Sequence, residues 1–164
     1  KADFLTYGNT EGIRKSILDE LEEIYDIKVP KDIVCSMEIV EILCKNTIYL
    51  NREISVLINR KGKVLNISVG DSNSVNIEVY TSENKLSGIR MIHTHPNGNS
   101  QLSKVDISAL IKLKLDCISA IGVNDRGPTG MSLGFLSIKG DSVESEVLDN
   151  LTLEEAANYN VLER

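Results

Sequence analysis

The chain has 164 residues, 41% of them hydrophobic and 26% charged, with a formal net charge of −6. These are the values of one globular domain large enough to bury a sizeable core. No apolar run reaches the length of a membrane span, no N-terminal secretory pattern is visible, and the acidic balance argues against a broad phosphate-binding surface.

Thr10 and Glu11 are expected to open a helix whose Ile13, Ile17, Leu21 and Ile24 form one apolar stripe. Pro30 separates it from a second helix, capped near Ser36 and carrying Ile39, Val40 and Leu43. Strands are expected at Glu53 to Asn59 and Val64 to Val69, with Lys61-Gly62 in a hairpin turn, and again near Val75 to Tyr80. Ile89 to Ile92, broken only by Arg90, reads as a buried strand running into His93-Thr94-His95. Pro96 and Gly98 end it and open a polar loop. Ile107, Leu110, Ile111 and Leu115 recur at helical spacing, so a helix starts near Ser103. Cys117 to Val123 and Met131 to Ile138 read as two further strands about a Gly/Pro/Asp turn. Residues 139–150 are polar and acidic and are expected to form a linker between a domain of residues 1–138 and a following region. Thr152-Leu153-Glu154-Glu155 is a capping-box pattern that opens a last short helix. That helix meets no stop signal before Arg164, as expected of a chain that continues, and the opening on Lys1 is expected of a processed or engineered start. Helices and strands in this order predict an α/β or α+β sandwich, a mixed sheet flanked by helices.

Both histidines of the chain lie two positions apart, and Asp106 follows His95 after ten intervening residues. In a strand, residues i and i+2 share a face, so His93 and His95 project together. Asp106 falls in the first turn of the next helix, close to the loop. Two neutral imidazoles and a carboxylate are a ligand set for a catalytic zinc, with the fourth position left to water. Ser103-Lys104-Val105-Asp106 is also, by itself, an ordinary S-x-x-D helix cap. The two readings coexist, because a helix N-terminus favours an anion.

His93-Thr94-His95, seven residues, Ser103, two residues and Asp106 together resemble the JAMM motif of the MPN (JAB) domains, the zinc isopeptidases and their relatives, which include the RadC proteins. The resemblance covers roughly residues 35 to 138 and implies a cytidine-deaminase-like sandwich. It implies Zn²⁺ held by His93, His95 and Asp106, a Ser103 hydroxyl donating to the oxyanion, and an upstream glutamate as general base. The matching glutamate is Glu53 in Asn51-Arg52-Glu53-Ile54-Ser55, whose plainer reading is a solvated residue at a helix–strand junction.

A second resemblance covers the whole chain. Tyr7-Gly8-Asn9-Thr10, Gly12-Ile13-Arg14-Lys15, Asn51-Arg52-Glu53-Ile54-Ser55, Ser87-Gly88-Ile89-Arg90 and Leu113-Lys114-Leu115-Asp116 look like the N-terminal extension of clostridial HflX-type GTPases. It implies a cytoplasmic protein whose GTPase domain follows this segment and which meets the large ribosomal subunit through the full-length chain. The segment itself has no G-x-x-x-x-G-K-[ST] loop to cradle a triphosphate. Lys61 and Lys63 beside Gly62, and Lys112 and Lys114 on the later helix, read as solvated faces rather than an RNA site.

Cys35, Cys44 and Cys117 form an odd set without a C-x-x-C pair, expected to be reduced and buried. Cys117 follows the Asp106 helix, which leaves a ligand or redox role open beside plain core packing. Two functions follow from these readings: a JAMM-type metallohydrolase of amide or isopeptide bonds, or a non-catalytic module that regulates or docks a GTPase. A RadC-like nucleic-acid role fits the acidic balance least.

Overall fold

The computed structural model describes residues 4–71 and 86–163. Its elements are β1 (Thr6–Gly8), α1 (Lys15–Glu22) running into a 3₁₀ turn (Glu23–Asp26), α2 (Met37–Leu50), β2 (Ile54–Ile58) and β3 (Val64–Val69). After the undescribed stretch come β4 (Arg90–His95), α3 (Lys104–Lys112), β5 (Cys117–Asn124), β6 (Gly127–Lys139), β7 (Ser142–Leu151) and α4 (Leu153–Ala157). The seven strands form one mixed sheet in the order β1-β3-β2-β4-β5-β6-β7. β1 runs parallel to β3, and β4 parallel to β5, while the other neighbours are antiparallel. The expected mixed α/β architecture is therefore present. The strand expected at Val75 to Tyr80 lies outside the described residues.

Period-2 alternation divides the sheet into two unequal faces. Ile54, Val56, Ile58, Ile67, Ile92, Ile121 and Leu133 pack with Leu21 and Ile24, with Ile39, Val40 and Leu43 of α2, and with Ala156 and Ala157 of α4 in the larger core. The opposite face carries a smaller core in which Leu57, Met91 and Ile118 meet Leu110, Leu113 and Leu115, on and just beyond α3. All of β2 and β4 is buried, as central strands of a sheet covered on both faces should be.

Two expectations need correction. The first helix opens at Lys15 rather than at Thr10 and Glu11, because Gly12 at φ 76° holds a turn just ahead of it. Residues 139–150 are not a linker: Ser142–Leu151 is an edge strand paired along its length with β6. Both of its faces are largely exposed, so its sequence carries no apolar alternation to reveal it. β1 was also unforeseen, being only three residues long and mostly exposed.

The β2–β3 hairpin shows how tightly the two layers are fitted. Asn59 Oδ1 accepts from the amides of Lys61 and Lys63 at 3.0 and 2.9 Å, and the Val29 amide donates to Gly62 O at 2.9 Å. Gly62 has φ 87°, and a Cβ there would lie 1.7 Å from Val29 O, a backbone atom. Gly62→Ala is therefore expected to destabilise the fold by about 3 kcal/mol or more, from left-handed strain and overpacking together. Urea denaturation checks it, the midpoint falling at an unchanged slope.

Candidate metal centre

His93 and His95 stand at the carboxyl end of β4 on the face turned toward α3, because Thr94 takes the opposite face. The loop of residues 96–102 then leads into α3, which opens with a full capping box. The Asp106 amide donates to Ser103 Oγ at 3.0 Å and the Ser103 amide donates to Asp106 Oδ2 at 2.9 Å. The cap reading of S-x-x-D is thus correct, and the same box aims the Asp106 carboxylate at the histidines.

The ligand atoms converge. His93 Nε2 lies 3.0 Å from His95 Nε2 and 3.0 Å from Asp106 Oδ1, and His95 Nε2 lies 3.3 Å from Asp106 Oδ2. Glu53, at the entry to β2, brings a carboxylate oxygen within 4.8 Å of both histidines. All four side chains are buried, at 7% (Glu53), 1% (His93), 8% (His95) and 8% (Asp106) exposure. The structure thus gathers Glu53, His93, His95 and Asp106 in one cluster, and the buried Glu53/His93/His95 group could hold a metal ion. Asp106 stands nearer the imidazole nitrogens than that outer limit and completes a second triad on the same pair. Ser103 sits beside Asp106 at the exposed start of α3.

Lone pairs and carboxylate oxygens this close repel one another unless a proton or a cation lies among them. The metal-free charge balance reflects this. Burial would raise the Asp106 pKa, but hydrogen bonds to His93 and His95 outweigh it and hold the carboxyl well below its usual range. Burial opposes protonation of His95, yet its contact with Asp106 and its bond to Asn99 raise its pKa above the ordinary 6.5. Glu53 is pushed up, chiefly by burial, which the two histidines only partly offset.

A supporting layer was not legible in the sequence. His95 Nδ1–H donates to Asn99 O at 2.8 Å, which leaves Nε2 as the ligating nitrogen. Asn99 is held in turn by paired side-chain turns: its amide donates to Asn97 Oδ1 and its Oδ1 accepts from the Gln101 amide, both at 2.9 Å. Thr129 Oγ1 donates to Gly98 O at 2.8 Å, and the loop lies on Gly122 of β5. A Cβ at Gly122 would come within 2.3 Å of Thr129 Oγ1 and 2.7 Å of both Gly98 O and Ser100 N. The Asn97-Gly98-Asn99 string was the one available signal. His93 Nδ1 is buried without a hydrogen-bond partner, as is the Ser55 hydroxyl opposite it in the β2–β4 register.

Cys117 is not part of this cluster. It pairs with Arg90 at the start of β4, whereas His95 pairs with Gly122 at the far end of β5, so core packing accounts for it. None of the three cysteines forms a disulfide, and burial pushes the Cys35 and Cys44 thiols up to about 12. Among the described residues no helix is long and apolar enough to cross a membrane. No protein-family model matches the chain, and no curated protein matches it.

Two outcomes are expected. A raised His95 pKa keeps the proton on the imidazole, so a divalent cation must displace it. Affinity for cobalt(II) is then full above that pKa and falls on acidification from above pH 6.5, by up to about tenfold per pH unit, while Asp106 stays ionised. Gly122→Ala should weaken the same binding by about 10–100-fold, by pushing the Asn99 carbonyl off His95. Competition against a chromophoric chelator measures both.

Proposed function

We propose that the chain is a zinc-dependent hydrolase of the JAMM type acting on amide or isopeptide bonds. The observation that carries this is the mutual spacing of the His93, His95 and Asp106 ligand atoms, 3.0–3.3 Å. A tetrahedral zinc with bonds of about 2.0–2.1 Å has ligand–ligand edges of about 3.3 Å, and the two imidazole nitrogens, each facing a different Asp106 oxygen, stand at about that spacing. When bound, Zn²⁺ supplies a Lewis acid that lowers the pKa of water in the open position towards neutrality.

The remaining chemistry belongs to the chain. His93, His95 and Asp106 hold the ion, with Asn99 O fixing the His95 tautomer. Glu53 accepts a proton from the attacking water and returns it to the leaving amine. A buried carboxylate with a raised pKa suits this exchange better than an exposed one, because a pKa moved towards the operating pH makes it a stronger base for the proton of water. The Ser103 O–H remains available to donate to a developing oxyanion, since its oxygen accepts from the Asp106 amide without using the hydroxyl proton.

Purified protein prepared without chelators should contain about one zinc per chain. His95→Ala and Asp106→Ala should lose it, and Glu53→Gln should keep it while losing hydrolysis of an isopeptide-linked probe. An unaltered chain that takes up no zinc after reconstitution at neutral pH sinks the reading.

The proximity of Glu53 to both histidines favours a second reading. With Glu53 as fourth ligand the site closes and is structural, and the chain is a non-catalytic docking module. Glu53→Ala then lowers zinc affinity by orders of magnitude, whereas removal of a general base leaves it nearly unchanged. In either case the resemblance to HflX-type GTPases supports a cytoplasmic protein, with a downstream GTPase domain and ribosome contact in the full-length chain.

A further inference from the structure

The antiparallel ladder between β2 and β4 stops at Ser55↔His93. Ile54 is the next residue of β2, and no pairing of it with Thr94 extends the register. The Ile54 amide donates to the side-chain oxygen of Thr94, at 3.0 Å. Thr94 Oγ1 is also 2.6 Å from Thr47 Oγ1, in the last turn of α2. Both threonines are fully buried. One hydroxyl therefore ties both ends of the connection from Thr47 to Ile54, in which Asn51 caps α2 in the left-handed conformation and Glu53 follows.

Glu53 is fixed on its other flank by β3's continuation, its amide donating to Asp71 O at 2.7 Å and its carbonyl accepting from Gly70 N at 2.8 Å. On the β4 side, among the described residues, its nearest tie is the neighbouring Ile54–Thr94 bond. A side-chain oxygen thus joins the two strands where their register ends, one residue from Glu53.

We propose that Thr94 is a positioning residue: its hydroxyl, joined to Thr47 and to the Ile54 amide, holds the Glu53 carboxylate at its working distance from the metal gripped by His93 and His95. The two ligands and the device that spaces the base are then three successive residues of one strand. This rests on the reading of Glu53 as a proton-transfer group beside the metal.

The test uses the whole chain loaded with cobalt(II), following the d–d absorption against pH. Its midpoint responds to the charges around the ion. Glu53→Gln removes a neighbouring negative charge and should lower the midpoint at unchanged cobalt stoichiometry. Thr94→Val, which keeps the shape and deletes the hydroxyl, should lower it in the same direction by a comparable amount, because Glu53 drifts away. Thr94→Ser should return it to the unaltered value. A merely structural role would lower the melting temperature of Thr94→Val and leave the midpoint in place. If Glu53→Gln lowers the midpoint but folded, loaded Thr94→Val does not, the proposal is overturned and the reading of Glu53 stands. If Glu53→Gln itself has no effect, that reading falls and takes the proposal with it. Should Thr94→Val fail to fold, Thr47→Val carries the test. It removes one arm of the tie and must lower the midpoint, an unshifted value overturning the proposal.

Discussion

The parallel pairing of β4 with β5 at the middle of the sheet is the constraint from which the site follows. Parallel neighbours cannot be joined by a hairpin, so the chain must leave the carboxyl end of β4 and cross over to reach the start of β5. Residues 96–116 make that crossing, with α3 inside it. A crossover of this length has to begin by turning back over the strand end it has just left. The strand end carries His93 and His95, and the first helical turn carries Asp106. Their meeting is therefore a result of topology, in the crevice at strand carboxyl ends where open α/β sheets commonly hold their ligands.

Within that crevice the Asp106 carboxylate has two functions. Its Oδ2 caps α3 through the Ser103 amide, while the carboxylate as a whole faces both imidazoles. The dipole of the helix start and the imidazoles favour its ionised form together, which outweighs the burial that would neutralise it. Glu53 has no such support: two backbone bonds fix its main chain, but burial dominates its carboxyl. Two carboxylates close to one pair of histidines are thus driven to opposite protonation tendencies by their surroundings. That divergence leaves one carboxylate held ionised and the other disposed to keep a proton.

Local pattern revealed much of this and missed what depends on distant backbone. The His-x-His strand, the Ser103 cap, the β2–β3 hairpin with Gly62 and the Thr152 capping box were all legible, because each depends on residues a few positions apart. Glu53 was a candidate only through the resemblance to the JAMM motif, because a glutamate ahead of an apolar run is common. The Asn99 carbonyl, Gly122 and Thr129 were not, since a backbone carbonyl carries no sequence signature and the need for glycine at 122 comes from a loop more than twenty positions earlier. Thr94 was read only as a member of the His-Thr-His run, its partners at 47 and 54 being distant in sequence. β7 failed for a different reason. An edge strand exposed on both faces buries nothing, so Ser142–Leu151 shows acidic polarity where alternation would have marked a strand.

The unequal cores complete the logic. The face that carries the site also carries polar groups in register: Ser55 opposite His93, His93 opposite Ala120, and Ala120 opposite Ser132. The Ser55 and Ser132 hydroxyls and His93 Nδ1 are buried without partners. Each such group costs about 1–3 kcal/mol relative to a satisfied one. A sheet with equal cores could have filled this face with aliphatic side chains. Here the opposite face holds α1, α2 and α4 against a larger core, and that burial offsets the polar row. The strands are thereby fixed from behind, and the site face is free to be shaped by its ligands and the groups that support them.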